Sequence, residues 1–280
     1  MQNELKSAIR FNDFAAYFGA WGVLVLAWWM GAAHAARIRE DQHSFPFLHI
    51  NAPVGFGKSL LLNYLQKLNG DDPYVHTLAH STKAARERIY ASAINADRPI
   101  VVCESYEGLR GHSPNHSFDW DELKPLYNSS PIAFRSEEFQ SQTTTFKGAL
   151  VITAHQALEC SDAFRSRMIM VDFSANDADP TRIRPEAIDD IDVTQASAFG
   201  LEVKEREAWI SNNIRYYGPA YQKELLEKYG SALNARTALN CSQMLVLIDL
   251  LCNLLSIDDT LRLETRKLVH DIAFLDTIPY

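Results

Sequence analysis

The sequence predicts an α/β core with a parallel sheet, preceded by N-terminal helices and followed by a C-terminal α-helical region. Three observations predict it. A phosphate-binding loop motif lies between an apolar strand and a helix, apolar strands alternate with helical segments from Phe45 to Phe173, and the chain beyond Asp192 reads as helical. Strand and helix in alternation is the pattern of a parallel sheet covered on both faces.

The motif is Ala52-Pro53-Val54-Gly55-Phe56-Gly57-Lys58-Ser59, directly after the apolar stretch Phe45 to Ile50 and directly before Leu60-Leu61-Leu62-Asn63-Tyr64-Leu65. A polyphosphate cradle needs backbone N–H groups pointing inward, and Gly55 and Gly57 remove the side chains that would block close approach and allow positive φ. The helix that follows offers its free N-terminal amides and positive dipole end. Pro53, Val54, Gly55, Phe56, Gly57, Lys58, Ser59 and Leu60 are thus the expected phosphate-binding residues, with Lys58 reaching the β and γ phosphates and Ser59 holding Mg²⁺ through its hydroxyl. The loop is read as binding a nucleoside triphosphate; the alternative is an ordinary glycine-containing turn with an unemployed Lys58. The first glycine of the common pattern is Ala52 here, and a methyl group at a strand end is tolerable.

The elements follow in order. Residues Met1 to Glu40 read as helical, and within them Phe14 to Ala36 carries no charged residue and is long enough to cross a bilayer. Gly19, Gly22, Gly31 and His34 interrupt that stretch, and Arg37 to Glu40 continues its helical pattern into charged sequence, so it is read as a core helix rather than a membrane span. Glu4 and Asp13 stand where a secretory leader would be basic. The expected strands are Phe47 to Ile50, Ile100 to Cys103, Ala149 to Thr153 and Met168 to Phe173, with a surface helix over Thr82 to Ala96. The Pro- and Asp-rich stretch Ser174 to Asp192 reads as a linker. Helices are expected over Glu202 to Tyr217, Tyr221 to Tyr229 and the strongly apolar Ser242 to Leu255. The resulting organisation is an N-terminal helical segment (1–44), a nucleotide-binding core (45–175) and a helical lid (176–280).

Composition narrows the function. A chain of 280 residues with 47% hydrophobic content holds one large or two modest domains. A net charge of -8 does not advertise wholesale nucleic-acid binding, so such contact must come from local basic positions. Cys103, Cys160, Cys241 and Cys252 are scattered with no pair at metal-ligand spacing, which argues against zinc and against a disulfide framework and fits a reducing cytoplasm.

A triphosphatase needs a carboxylate near the metal and the attacking water, at the end of a strand beside the phosphate loop. Arg98-Pro99-Ile100-Val101-Val102-Cys103-Glu104 supplies an apolar strand ending in Glu104, the candidate to polarise water and to organise the metal's waters. The alternative for Glu104 is a solvated residue that ends a strand. Cys103 stands where many such enzymes carry Asp, and a neutral thiol is a poor Mg²⁺ partner. The strand leading to His155 brings Thr153 and His155 to its tip as candidates to sense the γ-phosphate; a simply hydrogen-bonded surface histidine is the other reading. Arg165 and Arg167 lead into the last expected strand, where arginine can stabilise transition-state charge on a neighbouring subunit's phosphate or serve in a surface salt bridge.

The succession of parts resembles a known family. Phosphate loop, Glu104 strand, Asp119-Trp120-Asp121-Glu122-Leu123-Lys124-Pro125-Leu126-Tyr127-Asn128, Ile132-Ala133-Phe134-Arg135, Thr145-Phe146-Lys147-Gly148-Ala149, the strand to His155, then Arg167 before Met168 to Phe173: this order is similar to the superfamily 3-type helicase module, an AAA+-like P-loop NTPase with a three-layer core, in the form found with primases of phages, plasmids and integrative elements. The resemblance covers roughly Ala33 to Phe173. It implies a homo-hexameric ring that binds ATP and Mg²⁺ between subunits and drives a β-hairpin along single-stranded or forked DNA, with a primase as a further partner and no membrane. It implies that Lys124, Arg135 and Lys147 meet DNA phosphates, and that Arg167, or failing that Arg165, is the arginine finger. His155 stands where the family usually has asparagine. Arg236 is a weaker match for a lid residue contacting nucleotide. Two other classes stay open from the residues: a nucleotide-dependent assembly or loader protein with little turnover, and a small-molecule kinase sharing only the phosphate loop.

Overall fold

The computed structural model describes residues 2–70, 75–77, 81–95, 100–104, 118–128, 130–135, 141–154, 158–173 and 184–278. Three helices open the chain: α1 (Gln2–Ala8), α2 (Phe11–Ala32) and α3 (Ala35–Gln42). The core follows as β1 (Phe47–Asn51), α4 (Lys58–Leu68), β2 (His76–Thr77), α5 (Lys83–Asn95), β3 (Ile100–Glu104), a 3₁₀ turn (Trp120–Leu123), α6 (Lys124–Tyr127), β4 (Pro131–Arg135), β5 (Ser141–Thr145), β6 (Ala149–Ala154), α7 (Asp162–Arg165) and β7 (Met168–Asp172). Five helices close it: α8 (Glu186–Asp189), α9 (Val193–Glu205), α10 (Glu207–Tyr229), α11 (Ala235–Leu255) and α12 (Asp259–Leu275). The α/β class and the parallel sheet expected from the sequence are present.

The main sheet runs β2-β3-β6-β1-β7, every pair parallel. Its side chains alternate between two cores, as a strand's period of two requires. Leu48, Ile50, Ala149, Val151, Ile169 and Val171 face one cluster with the apolar sides of α2, α4, α9 and α11. Phe47, Leu150, Ile152 and Met168 face the other, against Trp120, Leu126, Tyr127, Phe146 and Phe164. A sheet buried on both faces needs apolar residues at consecutive positions, which is why β1, β6 and β7 read as largely apolar runs, with His49 of β1 and Thr153 of β6 as buried polar exceptions.

The helix read as a core helix is one. Phe11–Ala32 and Ala235–Leu255 are both long and apolar enough to cross a membrane, yet 72% and 83% of their apolar windows are buried inside the protein. α2 packs against α11 and α12, and the Trp28 indole N–H donates to the Pro46 carbonyl at 2.9 Å, tying α2 to the start of β1. α11 is held to its neighbours by one carboxylate: Asp249 pairs with Arg262 at 2.9 Å and Arg266 at 2.7 Å and accepts the Tyr221 hydroxyl at 2.7 Å. Side-chain caps start three of the C-terminal helices, Asp192 for α9, Asn234 for α11 and Asp258 for α12, each worth about 1 kcal/mol.

The sequence reading is corrected in the C-terminal half. The part of the expected linker inside the described residues, 184–192, contains α8 and sends Ile188 and Ile191 into the core, because two buried isoleucines outweigh the polar residues around them. The break expected at Tyr217 to Tyr221 is absent: α10 runs through Pro219. Pro219 is exposed, so water can serve the carbonyl its missing N–H leaves behind. A two-stranded antiparallel hairpin, β4–β5, stands beside the sheet, with Pro131 opposite Thr145 and Arg135 opposite Ser141.

Candidate phosphate site and arginine edge

The loop 52–59 leaves the C-terminal end of β1. Ala52 is fully buried and its N–H donates to the Ala154 carbonyl at 3.2 Å, so the methyl group that replaces glycine sits in the core without displacing the loop. Gly55 and Gly57 both adopt positive φ, 86° and 105°. Nothing lies within 4 Å of a Cβ built on Gly55, and Val54 beside it is 85% exposed, so the mouth of the loop is open. Phe56 points the other way and is buried, 4.5 Å from the Phe173 ring centroid and 6.5 Å from that of Phe18. Gly57 caps α4, Lys58 opens the helix largely buried, and Ser59 is exposed. Pro53 is exposed and Leu60 half-buried.

Glu104 ends β3 and stands in register with Thr153 of β6, which in turn is in register with Ile50 of β1. The loop and Glu104 therefore lie two strand spacings apart, about 10 Å, with the end of β6 between them. That gap suits a metal-bound triphosphate, and the hydroxyl of Ser59 and the carboxylate of Glu104 are hard oxygen donors of the kind Mg²⁺ takes. Open glycine, helix N-terminus and lysine are groups that could hold a polyphosphate. Thr153 is buried; His155 lies outside the described residues.

On the other flank, Asp172 ends β7 opposite Asn51, whose Nδ2 donates to Asp172 Oδ1 at 3.3 Å. His49, two residues earlier on the same face of β1, is 1% exposed with no hydrogen-bond partner for either ring nitrogen. Burial pushes its pKa down to about 4, with Asp172 opposing and Arg165 reinforcing the shift. Sequence reasoning passed over Asn51, Asp172 and His49, because nothing in an apolar strand marks which polar residue faces a neighbouring strand's carboxylate.

The arginines occupy the opposite end of the sheet. The Arg167 carbonyl accepts the Phe47 N–H at 2.9 Å, at the start of β1, a strand length or about 16 Å from the loop. Neither arginine reaches a phosphate on its own chain's loop. The Arg167 guanidinium lies 5.6 Å from the Tyr127 ring centroid and donates to the Ala163 carbonyl. Burial first, then the charge of Arg236, lower its pKa. Around it runs a polar chain: Tyr127 Oη donates to Asn240 Oδ1 at 2.6 Å, Asn240 Nδ2 to the Ser166 carbonyl at 3.0 Å, and Arg236 Nη1 to Ser166 Oγ at 2.8 Å. Arg236 thus meets α7 rather than the loop. Arg165 is half-buried and lines a cleft of about 630 Å³ with Asp162, Asn234 and Asp276.

Among the residues expected to meet DNA, Arg135 ends β4, Lys147 is exposed just after β5, and Lys124 pairs with Asp121 at 2.6 Å. Asp121 also accepts the Ser161 hydroxyl at 2.6 Å, and the Lys124 bond first, then Ser161, hold its carboxyl below the usual range. The root of the hairpin is fixed by Arg39, buried in α3, which donates to the Tyr127 carbonyl at 3.0 Å and the Gly148 carbonyl at 2.7 Å. Desolvation pulls the Arg39 pKa down to about 9.

No family model matches the chain, and no curated protein matches its sequence. Among solved structures, its fold is similar to that of a chain described as "SCCmec type IV Cch - active helicase", with a TM-score of 0.57, 12% identity, and coverage of 94% of this chain and 51% of the other. This chain spans about half the length of that structure, and at 12% identity the likeness is one of fold. The protein has an α/β fold shared with a helicase.

Proposed function

We propose that this chain is the motor module of an ATP-dependent DNA helicase or translocase, acting in the cytoplasm in replication of a phage or other mobile element. One observation carries the reading: an open loop with two left-handed glycines and a lysine at a helix start, two strands from a carboxylate, in a fold that a helicase shares.

In this mechanism the loop amides and Lys58 hold the ATP phosphates, and Ser59 and Glu104 are the residues that would hold Mg²⁺, which would supply charge neutralisation at the phosphates. Glu104 draws a proton from water as its oxygen bonds to the γ-phosphorus, and the bond from that phosphorus to the β–γ bridging oxygen breaks to release ADP. Arg167 or Arg165 serves a neighbouring copy's phosphate in a ring, six copies being the family's number. The hairpin carries Arg135, with Lys124 and Lys147 near its ends, toward a single strand whose phosphates it grips without reading sequence. A primase is a fitting partner.

The test is ATP hydrolysis with and without single-stranded DNA. DNA should stimulate turnover, and Lys58→Ala and Glu104→Gln should abolish it; turnover indifferent to DNA contradicts the reading. A second reading, a nucleotide-dependent DNA-binding assembly or loader protein with little turnover, draws on Cys103, which stands in β3 next to Glu104 where a second carboxylate is expected. ATP-induced oligomers without phosphate release would favour it.

A further inference from the structure

We infer that Tyr17, on the N-terminal helix, is a positioning residue of the phosphate loop, setting the direction of the Phe56–Gly57 peptide; this rests on the nucleotide-binding reading above. A cradle for phosphate needs its N–H groups turned inward, so the carbonyls of the same peptides must turn outward and find donors there. The Tyr17 hydroxyl donates to the Phe56 carbonyl at 3.5 Å, the long end of such a contact, in a buried setting. A trans peptide holds C=O and N–H on opposite sides, and the described chain has no cis bond, so a Phe56 carbonyl held by Tyr17 aims the Gly57 N–H away from α2.

Two independent features put Tyr17 there by construction. A Cβ on Gly57 would sit 3.1 Å from the Tyr17 hydroxyl oxygen, so the loop backbone passes directly under the phenol. Phe18 and Phe173 receive the Phe56 ring and fix the side of the loop that faces α2. Immediately after Phe18, α2 is interrupted at Gly19, with φ 58° and ψ -155°, a conformation open essentially to glycine. That break separates the part of α2 that meets the loop from the part buried against α11.

The experiment uses the full chain, with ATP–Mg²⁺ and inorganic tripolyphosphate as probes and the unfolding midpoint without ligand as control. Tyr17→Phe keeps the ring and removes the donor. It should weaken both ligands about three- to tenfold, the worth of one hydrogen bond, with the ligand-free midpoint lowered by no more than about 4 °C, which one lost hydrogen bond accounts for. Gly57→Ala should lose binding more fully, since it adds both strain at φ 105° and the clash with Tyr17. Wild-type affinity in Tyr17→Phe, or a loss accompanied by a larger fall of the ligand-free midpoint, overturns the inference. Folded wild-type protein that takes up neither ligand overturns the nucleotide reading and this one together, and is told apart by its failing before any variant is made.

Discussion

The two ends of the sheet are built differently. At the end where β1, β3 and β6 finish, the backbone is open: Gly55 faces empty space, Val54 projects outward, and Ser59 is exposed. At the end where β7 begins, groups are engaged inside the chain: Arg167 rests on Tyr127 and bonds Ala163, and Asn240 and Arg236 close over Ser166. An open end suits a ligand delivered from solution. A closed end some 16 Å away can contribute to that ligand's chemistry only from another copy, and for Arg167 only by giving up contacts it already has.

The largest expected effect tests that division. Arg167→Ala should lower hydrolysis by about 10³-fold while leaving ATP binding intact, the size expected of an arginine acting across subunits. Mixing Arg167→Ala with Lys58→Ala should restore turnover, since each supplies the end the other lacks. If the loss appears in Arg165→Ala instead, Arg167 stays committed to Tyr127; no loss in either dissolves the contrast between the ends.

A smaller effect sharpens what lies beneath the open end. His49 is held neutral by burial, with its pKa lowered to about 4 from an ordinary 6.5. The unfolded chain takes up the proton first as pH falls, so stability contributed by this site is intact above pH 6.5 and is lost progressively down to about pH 4. The loss amounts to about 3 kcal/mol. His49→Leu should flatten that part of the stability profile, measured by denaturant unfolding; an unchanged slope would show that another group titrates.

Smallest is a packing change behind the loop. A Cβ on Gly200 would meet the Leu68 carbonyl oxygen at 2.6 Å, where α9 crosses the end of α4, the helix that starts at the loop. Gly200→Ala should cost about 2 kcal/mol in thermal unfolding, because a backbone atom cannot rotate away. A variant as stable as wild type would mean α9 sits more loosely than its contacts imply.

Much of this was legible in sequence, for physical reasons. β1, β6 and β7 were marked by runs apolar on both faces, and the loop by glycines whose positive φ the structure displays. β4 and β5 carry no such signal: Ser141-Gln142-Thr143-Thr144-Thr145 has no apolar face, and the hairpin came only from the resemblance. β2 is two residues long, too short for any periodicity. α12 was not delimited, although Asp258 supplies its cap, and the interruption expected between Tyr217 and Tyr221 is bridged by α10, whose Pro219 is exposed. At the loop, the neighbours came from far away in the chain. Tyr17 and Asp172 touch it or its strand through tertiary packing, and no local pattern announces such contacts.

Residues 52–59 are the proposed site of triphosphate capture. Calorimetric titration of the full chain with ATP and Mg²⁺ tests it most directly. The expected result is saturable uptake at one site per chain, lost by 100-fold or about 3 kcal/mol in Lys58→Ala with its circular dichroism unchanged. Well-folded wild-type protein that takes up no nucleotide, or a Lys58→Ala variant that binds as tightly, would contradict it.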